Sequence, residues 1–152
     1  MTDIVASIME VMDTAFDPTW GEAWNARQVS DALVMPSTFA ILIGEDGQID
    51  ENAQEKPAGF CISRHAPGEE ELLLIGVKPQ HRESGLGRKL ILELVENARN
   101  REVTRLFLEM RANNPAEHLY RQLGFQPIGK RPKYYRLSNG ERMDAITFGL
   151  TI

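Results

Sequence analysis

Arg82-Glu83-Ser84-Gly85-Leu86-Gly87 follows an apolar run, Leu72 to Val77, and opens a helical pattern, Arg88 to Arg99. Strand, short glycine loop and helix N-terminus together suit an anion. The glycines let backbone come close, and the loop N–H groups and the helix dipole point at the negative charge. A dinucleotide fingerprint needs a third glycine three residues after Gly87, where Leu90 stands. A P-loop needs Gly-Lys-Ser/Thr after a longer spacing, and the chain has none. Lys78, Arg82, Arg88 and Lys89 cluster around the loop and supply local positive charge. Glycine pairs also occur in plain turns, so the loop alone indicates an anion and no reaction.

The elements that must position this loop can be read from periodicity. Ile4, Ile8, Val11, Met12 and Ala15 share one helical face, and Asp17-Pro18-Thr19-Trp20-Gly21 ends that helix. The spacing predicts a second helix over Glu22 to Leu33, then strands at Thr38 to Gly44 and Ala58 to Arg64. A polar loop through Pro67-Gly68 leads to a third strand, Glu71 to Val77, apolar enough to be central. Gly85 to Asn100 is a helix burying Leu86, Leu90, Ile91, Leu94, Val95 and Ala98. Val103 to Met110 is a strand, and Pro115 to Leu123 a short helix with Gly124 just beyond it. Phe125 to Gly129 and Asp144 to Leu150 are closing strands, with a basic, tyrosine-bearing loop from Lys130 to Arg142 between them. The sum is one α+β domain, a mixed sheet of about six or seven strands.

Composition narrows the classes. The chain has 152 residues, 42% hydrophobic and 26% charged, as in a folded globular protein. A net charge of −5 argues against general nucleic-acid binding and favours a basic partner. No apolar run nears the ~18 residues of a membrane span. Met1 to Met12 lacks the early basic residues of a secretory signal. One cysteine, Cys61, suits a reducing compartment, so a cytoplasmic location is expected. Three scattered histidines and that cysteine show no metal spacing, so no metal is expected.

Two signatures in order give the chain a family likeness. Arg82-x-x-Gly85-x-Gly87 resembles the cofactor loop of the GNAT (Gcn5-related) N-acetyltransferases. Asn113-Asn114-Pro115-Ala116-Glu117-His118-Leu119-Tyr120, followed by Gly124-Phe125, resembles that family's second signature. Leu106 to Arg111, Tyr134-Tyr135 and Asp144-Ala145-Ile146 narrow the likeness to the branch that acetylates N-terminal alanine of ribosomal proteins. Residues 70–150 carry the match, and residues 1–60 match in layout only. The chain departs from the pattern at Glu83 and Ser84, where the family often has basic residues. It is also one residue shorter after Glu109, so the cofactor-contacting asparagine is Asn113 counted from Tyr120 and Asn114 counted from Glu109. Asn113 is preferred, since a helix tolerates indels less well than a loop.

The likeness implies a GNAT-like fold with about four helices, acetyl-CoA as donor and an amine as acceptor. The diphosphate would lie on backbone from Glu83 to Arg88, including Ser84, Gly85, Leu86 and Gly87, with Arg82 and Arg88 supplying charge. The pantetheine arm would run beside Ile75-Gly76-Val77, where Gly76 leaves room for close approach. An α-amine with a pKa of about 8 is roughly one-fifth neutral near pH 7.4, against roughly a thousandth for lysine at about 10.4. A protein N-terminus is therefore the easier acceptor, and one carboxylate is an adequate base. Glu109, at its strand end, is the candidate, with Glu71 as the alternative. Tyr120 carries the proton-donor role towards the leaving thiolate by resemblance. Trp24, Tyr134 and Tyr135, with Trp20, are candidates for the acceptor groove, although the tryptophans could equally anchor the first helices. The implied partner is a protein N-terminus, such as that of a basic ribosomal protein. Acetylation of a small-molecule amine, and CoA binding without catalysis, are the alternatives.

Overall fold

The computed structural model describes residues 3–50 and 56–152. Helix α1 spans Ile4–Ala15, capped by Asp3, whose carboxylate accepts the Val5 N–H at 3.2 Å. Helix α2 spans Ala26–Leu33, four residues later than the periodicity predicts. A capping box sets this start: the Asn25 side chain accepts the Gln28 N–H, and the Gln28 side chain accepts the Asn25 N–H, both at 2.8 Å. Glu22 to Trp24 are thereby left outside the helix.

Strands β1 (Thr38–Gly44), β2 (Ile49–Asp50), β3 (Pro57–Ala66) and β4 (Glu69–Val77) follow. The predicted loop around Pro67-Gly68 shrinks to those two residues, because the polar ends of β3 and β4 still pair. Helix α3 (Leu86–Asn100) crosses to β5 (Arg105–Arg111), and α4 (Glu117–Gln122) precedes β6 (Gln126–Arg136) and β7 (Arg142–Thr151). Most of the predicted Lys130 to Arg142 loop is therefore strand. Its polarity misled because β6 is an edge strand exposed on both faces, where charges and Pro132 are tolerated. The β6–β7 ladder is irregular between Arg131 and Tyr135, where Lys133 takes a φ of 52° and gives its N–H to Asp144.

The sheet runs β2-β1-β3-β4-β5-β7-β6, so the apolar β4 is central, as expected. Only β4 and β5 are parallel, and the other five neighbouring pairs are antiparallel. Alternation along the strands feeds two cores. Ile41, Ile43, Cys61, Leu106, Leu108 and Met110 pack with α3 and α4. Leu42, Phe60 and Ile62 pack on the opposite face with Ile8, Val11 and Met12 of α1 and Val29 of α2. Each large apolar side chain so buried contributes about 1.5–3 kcal/mol.

One irregularity shapes the molecule. On β4, Leu74 pairs with Ile62 and Leu72 with Ser63, so Leu73 is an extra residue, a bulge. The parallel ladder to β5 ends at the same place, at Leu72 opposite Leu108. Beyond it β4 and β5 part, and a cleft opens in the middle of the sheet.

Candidate active site

The cleft is a cavity of about 890 Å³. One wall is β4 from Leu72 to Val77 and the other is β5 from Leu108 to Arg111. The loop before α3, the start of α4, the connection between α1 and α2, and Tyr135 complete it.

The donor-side floor follows from backbone geometry. Gly85 caps α3 in the left-handed conformation, at φ 84°, and no side chain caps that helix. The first helical N–H with a partner is that of Lys89, bonded to the Gly85 carbonyl at 3.1 Å. The N–H groups of Leu86, Gly87 and Arg88 have no partner among the described residues, and all three residues line the cavity. Open N–H groups at a positive helix end fit a diphosphate. Glu83 also lines the cavity and is left-handed at φ 65°, whereas Ser84 turns its hydroxyl back to the His81 carbonyl and does not reach the cavity.

The expected cations divide. Lys78 is spent on Glu10. Arg82 lines the cavity while its guanidinium donates to the carbonyls of Ala15 and Val77, tying the end of α1 to the loop. Arg88 lines the cavity without an ion pair among the described residues. The edge of β4 facing the cleft, Leu73 to Val77, has no strand partner there, so an amide-bearing chain can pair with it. Gly76 lies on this edge, but its lack of a side chain answers a different need from the one expected. A Cβ there would stand 2.9 Å from Phe60 and 3.2 Å from both Ala15 and Phe16, so the glycine lets α1 sit close on the sheet.

Glu109 and Arg111 point to the face of β5 opposite Leu108 and Met110, as the period of two requires. Glu109 lines the cavity, and Arg131 holds both of its carboxylate oxygens, at 2.8 and 2.9 Å. Glu71 stands outside the cavity, bonded to Arg64 at 2.8 Å, on the paired part of β4. Tyr120 of α4 is buried, packs edge-on against Phe125, and lines the cavity with no hydrogen bond from its phenol to the described residues. Burial foremost, then the charge of Glu22, pushes that phenol well above the ordinary tyrosine value. Burial pushes Tyr135 up to about 12, with Glu109 and Glu22 adding to it.

The remaining expectations also sort by position. Asn114 lines the cavity and accepts the Ala116 N–H at 3.0 Å, whereas Asn113, left-handed at φ 65°, is exposed and outside the cavity wall. Trp24 lines the cavity and also packs against the α1–α2 core. Tyr134 is half exposed under Arg131 and outside the cavity, whereas Tyr135 is inside. Sequence reasoning missed Glu22, which lines the cavity opposite Arg111 because α2 starts late. The Asn25…Gln28 capping pair was the signal that would have freed it.

No group of residues among those described could hold a metal ion, and no described helix is long and apolar enough to cross a membrane. The model of the Acetyltransferase (GNAT) family matches residues 5–125. The ribosomal protein bS18-alanine N-acetyltransferase of Escherichia coli K12 is 39% identical over 119 residues, 76% of this chain and 78% of that protein. The protein of the same name from Salmonella typhimurium LT2 is 33% identical over 135 residues, covering 86% and 89%. The crystal structure of the ribosomal-protein-S18-alanine N-acetyltransferase from Escherichia coli superposes with a TM-score of 0.80 at 28% identity, covering 97% of this chain and 87% of that one. With a glycine loop at an uncapped helix, a parted parallel strand pair and a family match over most of its length, the chain belongs to the GNAT acetyltransferases.

Proposed function

We propose that this acetyltransferase moves an acetyl group from acetyl-CoA to the N-terminal α-amine of a protein, an alanine-initiated ribosomal protein being the best fit. The observation that carries the reading is the single cavity lined at once by the open N-terminus of α3, the unpaired edge of β4, Glu109 and Tyr120. The named substrate of the Escherichia coli and Salmonella relatives supports the choice of acceptor.

The residues divide the work as follows. Leu86, Gly87 and Arg88 bind the diphosphate through backbone N–H groups, and Arg82 and Arg88 add charge. Leu73 to Val77 hold the amide-bearing arm in register with β4. The acceptor enters past Trp24 and Tyr135. Its ammonium loses a proton to Glu109 through water, the carboxylate being oriented by Arg131. The free amine then attacks the thioester carbonyl, a C–N bond forms and the C–S bond breaks. The Tyr120 phenol gives its proton to the departing thiolate, the new amide nitrogen sheds its extra proton to water, and the phenolate is reprotonated from that water. A placed acid or base of this kind contributes roughly 10²- to 10⁴-fold in rate. Transfer is direct, since Cys61 is fully buried and its thiol is pushed up to about 12 by burial, which leaves no usable thiolate.

The test is mass spectrometry of alanine-initiated peptides incubated with protein and acetyl-CoA, beside a panel of polyamines and aminoglycosides. Acetylation confined to the peptide α-amine is the expected result. Preference for the small amines overturns the choice of acceptor, and absence of CoA binding by calorimetry overturns the choice of donor.

A further inference from the structure

Arg111 is a buried cation that the mechanism above does not use. Its side chain is 8% exposed, its guanidinium lies over the Trp20 ring at 3.8 Å, and its Nε faces Glu22 Oε1 at 3.5 Å. Trp20 and Glu22 both belong to the connection between α1 and α2, whose Trp20 ends a short 3-10 turn, Pro18–Trp20. A single side chain from β5 therefore fixes that connection against the cleft. Arginine suits this role because its planar face stacks on the indole while its edge meets the carboxylate. The second oxygen of Glu22, Oε2, has no hydrogen-bond partner among the described residues, and Glu22 lines the same cavity as Tyr120 and Tyr135. Glu109, the other carboxylate on this wall, has both oxygens taken by Arg131.

We infer that Glu22 is the anchor for the acceptor's ammonium group and that Arg111 is the positioning residue that aims it. Glu22 holds the charged amine by an ion pair before deprotonation, in the cavity that Tyr120 and Tyr135 also line. Arg111 acts only through Glu22 and Trp20. The inference deepens the acyl-transfer reading and takes its reaction from it, but its test does not need turnover.

The test compares an alanine-initiated peptide with its desamino analogue, in which a propionyl group replaces the alanyl group. Calorimetry is run with and without saturating CoA. Wild type is expected to bind the ammonium peptide roughly tenfold or more tightly than the analogue, the scale of one charge-assisted hydrogen bond. Glu22→Gln brings the ratio near one, with CoA affinity unchanged and the protein still folded at the temperature of the titration. Arg111→Met does the same, Arg111→Lys recovers part of the ratio, and Glu22→Gln/Arg111→Met is no worse than either single variant. Arg111→Met also removes the stack on Trp20, so Glu22→Gln, at a partly exposed side chain, carries the decision. A ratio that survives Glu22→Gln, or wild type that binds both peptides alike or neither, overturns the inference. An additive double variant overturns the role of Arg111. Failure of CoA to bind in the same titrations sinks the acyl-transfer reading and leaves the amine preference standing.

Discussion

In the proposed reaction, Tyr120 would serve both packing and proton transfer. Its ring belongs to the α3–α4 core, and its phenol opens to the cleft. Burial keeps the phenol protonated throughout the working pH range, so an acid is always present. The kcat/KM profile for an alanine-initiated peptide is thus expected to rise through about pH 8, as the α-amine loses its proton, and to show no fall up to about pH 10. Stopped-time assays across that range check this, and a fall near pH 9 removes the tyrosine from the role. Tyr120→Phe removes the hydroxyl and keeps the ring. It is expected to lower kcat at least tenfold while CoA affinity by calorimetry stays unchanged. An unaltered kcat would assign the tyrosine to packing alone.

At the scale of elements, two glycines of the site do unlike things. Gly85 stands at φ 84° with nothing within 4 Å of where a Cβ would lie, so only backbone conformation requires it. Gly85→Ala is expected to cost about 1–2 kcal/mol of stability and to raise the KM for acetyl-CoA, because the loop N–H groups turn with the residue. Gly76 has no positive φ, but a Cβ there would meet the fully buried Phe60 and the end of α1. Gly76→Ala should destabilise by about 1–3 kcal/mol through overpacking. Thermal melts measure both, and donor KM separates them, since the loop itself is untouched in Gly76→Ala. Helix α2 adds the same lesson from the other side of the cleft. Its late start, set by Asn25 and Gln28, is what frees Glu22 and Trp24 for the cavity.

Over the whole molecule, the sheet is pinned at one end and parted at the other. At the paired end of β4, Glu70 is fully buried and receives Arg101 through two hydrogen bonds, at 2.6 and 3.0 Å, and the Ser63 hydroxyl at 2.8 Å. Arg101 also covers the Phe39 ring at 3.9 Å, so the end of α3 is fastened to both β1 and β4. Arg101→Met leaves that carboxylate buried without its cation and is expected to cost about 3–5 kcal/mol in denaturant unfolding, without altering the donor KM of the folded fraction. The tyrosines give the fold an alkaline limit. Tyr135 rises from 10.0 to about 12 on folding. Its contribution to stability is therefore complete below about pH 10 and is lost as pH climbs towards 12. Urea midpoints at pH 8, 10 and 11.5 are expected to hold over the first interval and fall over the second.

Local pattern alone carried much of this. The apolar β4, the amphipathic α3 and the glycine loop between them depend on periodicity and backbone freedom, which neighbouring residues dictate. For that reason the mixed sheet and the anion-suited loop could be inferred without coordinates. Distance decided the rest. That Asn114 and not Asn113 faces the cleft depends on the left-handed turn at Asn113, and that Glu71 is turned to Arg64 and Arg131 reaches back to Glu109 depends on strand register, which brings residues far apart in the chain into contact. The strand across most of the Lys130 to Arg142 stretch escaped notice because an edge strand in water shows no hydrophobic alternation. Glu22 became a candidate for the site only where a late helix start and a buried arginine from another strand met it.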